Sequence, residues 1–292
     1  MRIHIQGCVS EEHKEQELPR TSSLPSDVPE EQVELFRDVL LALEQNRVPY
    51  AISGAFALRQ HTGICRFTKD LDLFVSVKTR DAALDCLRKA GMHCEINDPV
   101  WLAKAHRDGY FVDLITGMSN GLISVEDSWI ERARPAVVYG IETRVLAPEE
   151  LVVSKIFVSR RERFDGADIA HVIFGTYGNF DWRRELELIG EHWEMLLWSL
   201  ILFRYVYPAQ SHYVPAEIWC DLLRRFEREI QNPNPRAEFR GSLVDDNMFA
   251  IDVNEWGLAN LLKERRELRL AQSGEGEAEF VEQASHLTEK EI

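Results

Sequence analysis

The sequence predicts a mixed α/β fold followed by a mainly helical region, and three observations support this prediction. Between residues 29 and 178, short apolar segments rich in β-forming residues alternate with amphipathic helical patterns. From residue 179 to 270, apolar residues recur mostly at helical spacing. Hydrophobic residues make up 45% and charged residues 28% of the 292 residues, which is ordinary for a globular protein and excludes collagen-like or broadly disordered chains.

The elements follow from periodicity and from the residues that end them. Helices are predicted where apolar residues recur three or four apart, and strands where β-branched and aromatic runs stand between turn residues. Gly54, Gly63 and Gly91 each follow a segment that glycine would end. In order, the α/β region contains a helix over 29–47 capped by Ser26 or Asp27, a strand over 48–53, a helix over 55–61, a strand over 70–77, a helix over 79–90, a strand over 93–96, a hairpin of 102–106 with 110–116 through a turn at 107–109, and a strand pair of 136–139 with 142–146.

Helical patterns dominate the rest of the chain. Pro148 begins a helix with Glu149 and Glu150 in its first turn, where acidic residues suit the helix dipole. The predicted helices are 148–163, 167–174, 181–207, 215–230 and 255–270, and some alternation over 1–7 indicates a short strand at the start.

The net charge is strongly acidic and unevenly spread. The 34 basic and 49 acidic residues give a formal net charge of −15. The two ends are rich in Glu, Ser, Gln and Pro, which predicts largely disordered segments over 1–28 and 271–292. We therefore expect four parts, namely these two ends, an α/β domain over 29–178 and a helical region over 179–270. The acidic excess argues against extensive DNA binding, which Lys and Arg drive, but leaves a local basic site open.

Cysteine usage and the apolar segments indicate a cytoplasmic protein. The five cysteines are odd in number and form no CxxC pair, so neither a disulfide framework nor a zinc site is indicated. The first 14 residues have no apolar core, and we expect no signal peptide. The longest apolar stretch, 195–203, is too short to cross a bilayer, so no membrane partner is expected.

A pair of acidic residues is the strongest chemical signal. Asp70 and Asp72 are two residues apart on a predicted strand, and side chains at that spacing lie on one face. Two carboxylates repel each other and are costly to bury without a cation between them. Mg²⁺ prefers such oxygen ligands together with substrate phosphates. An isolated Asp-x-Asp is more often simply solvated, so the motif needs support from its surroundings.

Three neighbouring features supply that support. Ser53 and Gly54 lie between a strand and a helix, where glycine permits close backbone approach and helix amides suit a phosphate. Arg66 and Lys69 place positive charge just before the acidic pair. Asp113 is a lone acid in the apolar strand FVDLI, and on an adjacent strand it would lie beside the pair.

The run SGAFALRQHTGICRFTKDLDLFV, followed about forty residues later by Asp113 in FVDLIT, resembles the polymerase-β-like nucleotidyltransferase superfamily. The R-x-T-x-D-x-D segment is similar to that of bacterial minimal nucleotidyltransferases of the AbiEii toxin-like group. The turn reads Ser-Gly here, where the family usually has Gly-Ser. The resemblance covers about residues 48–175 and implies a mixed β-sheet nucleotidyltransferase core flanked by helices.

The resemblance also implies an activity. A nucleoside monophosphate would move from an NTP such as ATP to an acceptor hydroxyl, with release of pyrophosphate. Asp70 and Asp72 would bind two Mg²⁺ ions, for which Mn²⁺ could substitute, and Asp113 would complete the second metal site and help activate the acceptor. The nucleotide-binding residues would be Ser53, Gly54, Arg66, Lys69, Lys155 and Arg160.

Lys155 and Arg160 enter through a lysine-bearing helix that such proteins carry after the sheet. Residues 148–163 match that helix, with Arg160 about one turn beyond Lys155. The alternative for both is a solvated helix face with a packed lysine stem. Asp168 is expected to pair with a nearby base instead of binding metal.

The acceptor is left open by the sequence and could be a small molecule, a protein or a tRNA. One form of the hypothesis is a toxin with an antitoxin protein as partner, and another is an antibiotic-modifying enzyme. The alternative from a different class is a non-catalytic nucleotide-binding or partner-binding protein on the same fold. All three acids are present, which favours the enzyme.

Overall fold

A seven-stranded mixed sheet organises the first half of the chain. The computed structural model describes residues 28–66 and 68–273. The predicted strand over 1–7, the cap at Ser26 or Asp27 and most of the acidic tail lie outside these residues. The strands are β1 (Ala51–Ile52), β2 (Leu71–Phe74), β3 (His93–Asp98), β4 (Leu102–Arg107), β5 (Tyr110–Ile115), β6 (Arg134–Val138) and β7 (Ile141–Val145).

The strand order is β3-β4-β5-β2-β1-β7-β6. The β2–β5 and β1–β7 pairs are parallel, and the other neighbours are antiparallel. This mixed sheet, with helices around it and a helical region after it, confirms the predicted fold class.

Helices cover the sheet and make up the second half of the described chain. They are α1 (Glu30–Gln45), α2 (Gly54–Thr62), α3 (Val77–Lys89), α4 (Asp127–Arg132), α5 (Pro148–Ile156), α6 (Gly166–Gly175), α7 (Trp182–Ile189), α8 (Trp193–Val206), α9 (Ala216–Gln231), α10 (Gly241–Val244), α11 (Ala250–Asn254) and α12 (Leu261–Ser273). Among the residues that the structure describes, no helix is long and apolar enough to cross a membrane. The predicted boundary at residue 178 falls between α6 and α7 and stays a prediction.

Alternation along β2 and β5 separates the core from the polar side of the sheet. Leu71 and Leu73 on β2 and Val112 and Leu114 on β5 are fully buried, in one apolar cluster with the inward side chains of α1. The residues between them point to the opposite face, because side chains alternate along a strand. Burial of the leucine face sets the register and leaves the acidic residues on the other face.

The predicted helix over 148–163 is wrong in its second half. Helix α5 ends at Ile156, and the chain then forms a small hairpin of β8 (Ser159–Arg160) with β9 (Arg163–Phe164). The segment from Arg160 to Asp165 has no apolar period that could hold a helix on the core. The hairpin instead returns Asp165 to Lys155, and the backbone N–H of Asp165 donates to the carbonyl of Val158 at 2.9 Å.

Two further helix predictions also need correction. The predicted helix over 181–207 is divided into α7 and α8 at Gly190, whose φ of +53° lies outside the range that continues a right-handed α-helix. The last predicted helix, 255–270, begins only at Leu261, because Gly257 has a φ of +72°. In both places glycine ends a helix that the apolar period alone would extend.

The acidic first turn of α5 has a tertiary role as well as the predicted dipole role. Glu149 accepts a hydrogen bond from the backbone N–H of Asp181 at 2.6 Å. Glu150 accepts one from Arg184 Nε at 3.1 Å. Both glutamates are buried, so they attach the start of α7 to the α/β part of the chain.

Candidate active site

The three acidic residues meet on one face of the sheet, as the sequence predicts. Asp72 and Asp113 are directly paired in the parallel register of β2 and β5. Residues paired in this way present their side chains on the same face, side by side. Asp70 immediately precedes β2, and all three line one cavity of about 460 Å³.

Eight of the nine predicted site residues border this cavity. They are Ser53, Gly54, Arg66, Asp70, Asp72, Asp113, Lys155 and Arg160. Lys69 is not among the lining residues. Its side chain is exposed, and its backbone carbonyl accepts a hydrogen bond from Gln32 Nε2 at 2.6 Å. Lys69 lies in a bend before β2 and does not line the cavity, so its contact with the nucleotide phosphates stays a prediction.

The glycine of the Ser-Gly turn is required by its contact with Asp72. Gly54 begins α2 with a φ of +57°, and a Cβ at this position would lie 1.9 Å from Asp72 Oδ2. The backbone N–H of Ser53 donates to the carbonyl of Asp72 at 2.8 Å. The turn and the acidic strand are therefore packed directly together, and only glycine fits between them.

We expect Gly54→Ala to disable the carboxylate site. The added methyl group must displace the Asp72 carboxylate, so the metal binding that the sequence predicts, measured with Mn²⁺ by calorimetry, should weaken by at least about tenfold. Backbone strain at positive φ adds about 1–2 kcal/mol of destabilisation.

Gly91→Ala is the matched control. Gly91 has a φ of +84°, and a Cβ added there would meet no atom of the described residues within 4 Å, so this variant carries the strain without the clash. It should lose a similar amount of stability and keep Mn²⁺ binding. Equal losses of binding in both variants would contradict the role assigned to the contact with Asp72.

The carboxylates hold more negative charge than their neighbours neutralise. Burial, followed by the charges of Asp113 and Asp70, raises the pKa of Asp72 to about 6. Burial also raises the pKa of Asp113, against the effect of Lys104. The buried Oδ1 atom of Asp70 has no hydrogen-bond partner among the described residues. An unpartnered oxygen beside two crowded carboxylates fits a hard divalent cation such as Mg²⁺.

Lys104 is a site residue that sequence reasoning missed. It lies on β4 directly opposite Asp113, and its Nζ atom is 2.7 Å from Asp113 Oδ1. The signal in the sequence was the Asp108-Gly109 pair, which is typical of a two-residue hairpin turn. In the structure both residues have the positive φ that such a turn needs. The three-residue turn that was predicted, 107–109, shifts the register by one residue and hides the pairing.

A network of three bases and two acids forms another part of the cavity wall. Lys155 is 5% exposed, and its Nζ atom lies 2.8 Å from one oxygen each of Asp165 and Asp168. Arg66 binds Asp168, and Arg163 binds Asp165 through two hydrogen bonds of 2.9 and 3.0 Å. The predicted pairing of Asp168 with a nearby base is confirmed.

The acids of this network stay ionised, and the network is positive as a whole. Burial would raise the pKa of Asp165, but the hydrogen bonds from Arg163 and Lys155 outweigh it and hold the pKa below its usual value. Burial likewise opposes Arg66 and Lys155 at Asp168, and the pKa is again lowered. Three cations against two carboxylates leave one positive charge at the cavity that the three acidic residues also line.

Arg160 and several apolar residues complete the lining. Arg160 lies on β8, not on a helix, and its Nη2 atom is 3.1 Å from the hydroxyl of Ser119. The larger apolar residues of the lining are Phe74, Trp101, Ile115, Met118, Phe157, Val158 and Leu243. Most of these side chains come from strand ends and loops, where no periodic pattern in the sequence marks them.

Comparison with solved structures finds similar chains at low identity. An antigenic nucleotidyltransferase-like protein from Paracoccidioides brasiliensis is 18% identical, with a TM-score of 0.41, over 64% of this chain and 93% of that one. ANT(2")-Ia, in complex with adenylyl-2"-tobramycin, is 15% identical, with a TM-score of 0.38, over 61% and 99%. The lincomycin-bound lincosamide antibiotic adenylyltransferase LnuA is 16% identical, with a TM-score of 0.35, over 50% and 96%.

No curated protein matches the chain. A family model described as nucleotidyl transferase of unknown function (DUF2204) matches residues 32–191, which is more than half of the chain. The matched segment contains every residue that lines the cavity except Leu243.

Proposed function

The chain belongs to the nucleotidyl transferase family of unknown function DUF2204, and from this membership we propose that it moves a nucleoside monophosphate from an NTP such as ATP to an acceptor hydroxyl, with release of pyrophosphate. The observation that supports the proposal most directly is the pairing of Asp72 with Asp113 on adjacent strands, next to Asp70 and in the same cavity as a positive network. Acidic and basic groups that line one cavity suit a metal-bound triphosphate.

The carboxylates are the proposed metal ligands. Asp70, Asp72 and Asp113 would hold two Mg²⁺ ions, for which Mn²⁺ can substitute. When bound, the metal ions would neutralise phosphate charge and stabilise the attacking and leaving oxygens. In this proposal Gly54 sets the position of Asp72, and Lys104 sets that of Asp113 through their 2.7 Å hydrogen bond.

The positive network is the proposed phosphate-binding wall. Arg66 and Arg163 have half or more of their side-chain surface exposed, so their guanidinium groups can meet phosphate oxygens. Arg160 lines the same cavity, and Ser53 with Gly54 places the start of α2 against it. Lys155 borders the cavity, but its amine is bound by Asp165 and Asp168. We therefore propose that Lys155 holds these two acids in position.

In the proposed reaction, a bond forms between the acceptor oxygen and the α-phosphorus while the bond from that phosphorus to the pyrophosphate oxygen breaks. The acceptor proton passes to a carboxylate of the site. Asp113 suits this role because it lies beside Asp72, at the proposed second metal site. Lys104 holds one of its oxygens, so the metal ion and the acceptor would both approach the other one.

The acceptor class stays open among a small molecule, a protein side chain and a tRNA end. The AbiEii-like assignment, the toxin role and the antitoxin partner also stay predictions. The lining combines charged residues with an apolar part that includes Trp101 and Met118, and this part is where we place the recognition of the acceptor or of the nucleotide base.

Radiolabel transfer tests the proposal. The full chain is incubated with each α-³²P-labelled NTP, Mg²⁺ and cell extract, and labelled acceptors are separated by size and charge. We expect transfer from at least one NTP, and its loss in Asp70→Asn and Asp113→Asn. Asp85→Asn, which changes an exposed acid of α3, should transfer normally. Metal-dependent nucleotide binding without transfer would favour the non-catalytic alternative, and the absence of both would overturn the proposal.

A further inference from the structure

Two histidines and a glutamate meet at the open edge of the sheet, away from the acidic strands. His93 on β3 and His106 on β4 are directly opposite each other, and His93 Nδ1 lies 2.8 Å from His106 Nε2. Glu95 is two residues beyond His93 and therefore on the same face. One ligand atom from each of the three residues lies within 4.8 Å of the other two.

We propose that His93, Glu95 and His106 form a second metal site, which takes a transition-metal ion of the Zn²⁺ type. Imidazole nitrogens suit zinc, copper and nickel, whereas Mg²⁺ prefers ligand sets made of oxygen. Three protein ligands with a fourth position open to water is a common zinc arrangement. His93 and Glu95 are exposed, so an ion can reach them from solvent.

The strand pairing builds this cluster. The antiparallel register joins His93 to His106 and Glu95 to Lys104, so the three ligands come from two neighbouring strands, and His93 and His106 are 13 residues apart. The contact between the two rings uses one N–H hydrogen and one nitrogen lone pair. In the metal-bound form, both nitrogens would direct lone pairs at the ion, and the ring that carried the hydrogen between them would change tautomer, so that its N–H lies on the other ring nitrogen.

The cluster lies on the same face of the sheet as the carboxylates. Direct pairings run from Glu95 to Lys104, from Lys104 to Asp113 and from Asp113 to Asp72. Paired residues share a face, so Glu95 is two strands from Asp113, or about 10 Å at the usual strand spacing. An ion at the edge would therefore lie beyond Lys104, separate from the Mg²⁺ ligands, and would fasten the edge strand β3 to β4.

Calorimetry on the full, metal-stripped chain tests the inference with Zn²⁺ as the probe. Excess Mg²⁺ is present to occupy the carboxylate site. We expect one equivalent of Zn²⁺ to bind, and affinity to fall at least tenfold in His93→Ala and in His106→Ala. His212→Ala, at an exposed histidine on the second half of the chain, should bind as the wild type does. Binding of equal affinity in His93→Ala would overturn the site.

A second measurement needs no substitution. In ¹H–¹⁵N spectra that detect the histidine rings, Zn²⁺ should shift the signals of His93 and His106 together, saturating at one equivalent. Stabilisation should accompany binding, with the melting temperature rising as Zn²⁺ concentration increases and staying constant in His93→Ala. Unchanged signals from both rings at saturating Zn²⁺ would likewise overturn the site.

Discussion

Asp72→Asn is expected to abolish nucleotidyl transfer and, in the absence of metal, to stabilise the folded protein. Loss of a ligand to the proposed ions removes several kcal/mol of transition-state stabilisation, so we expect transfer to fall by about 10³-fold or more. The gain in stability has a separate cause. Burial disfavours the charged form of Asp72, and two other acids repel it. The neutral amide of Asn removes both unfavourable effects.

The stabilisation should depend on pH with a defined sign. The pKa of Asp72 is raised from 3.8 to about 6, so between these values the native state binds a proton that the unfolded state has released. The free energy of unfolding of the wild type therefore falls as pH rises through this window. A shift of this size corresponds to about 2–3 kcal/mol. Asp72→Asn should match the wild type near pH 4 and exceed it by about that amount above pH 6.

Urea unfolding in the presence of EDTA, at several values between pH 4 and 8, measures this difference. Asp85→Asn is the control, because its carboxylate is exposed and pairs only with Arg88 on the helix surface among the described residues. It should differ little from the wild type at any pH. If Asp72→Asn is less stable than the wild type at pH 8, the ionised Asp72 carboxylate does not destabilise the folded protein, and the raised pKa is contradicted.

Lys155→Met is expected to destabilise the protein strongly. The substitution leaves Asp165 and Asp168, which are 8% and 3% exposed, without the amine between them. Breaking a buried ion pair by removing one partner costs about 3–5 kcal/mol, because a buried charge loses its compensation. Arg66 and Arg163 still bind the two acids, so we expect the lower end of that range.

Urea unfolding again gives the measurement, with Lys89→Met as the matched control at an exposed lysine on α3. That control should change the free energy of unfolding by less than about 0.5 kcal/mol. Adding Asp168→Asn to Lys155→Met should recover part of the loss. Unchanged stability together with a large loss of nucleotide binding would instead place the Lys155 amine on the nucleotide, as the sequence alone suggested.

Local signals explain why the acidic residues could be identified from the sequence. Asp113 stands out as a single acid in an apolar strand, and the spacing of Asp70 and Asp72 places them on one face whatever the neighbouring strands are. The Ser53-Gly54 turn is also marked locally, by a glycine between an apolar run and a helical pattern. Each of these signals depends only on residues a few positions apart.

The features that the sequence did not reveal depend instead on how the folded chain arranges its loops and strands. Lys104 meets Asp113 only because a two-residue turn sets the hairpin register. Lys69 belongs to the same basic loop as Arg66 and yet does not line the cavity. The chain after Ile156 leaves the helix to bring Asp165 back to Lys155, and nothing in the local period of that segment marks the return.

The sequence by itself determined the α/β class, the order of most elements and the three carboxylates with the face they occupy. These properties follow from periodicity and from the cost of burying charge, which act over short stretches of chain. Only the tertiary structure decided that β5 lies beside β2 and which cation meets which carboxylate. Strand order and ion pairing join residues tens of positions apart, such as Arg66 and Asp168, and their geometry is set by the packing of the whole domain.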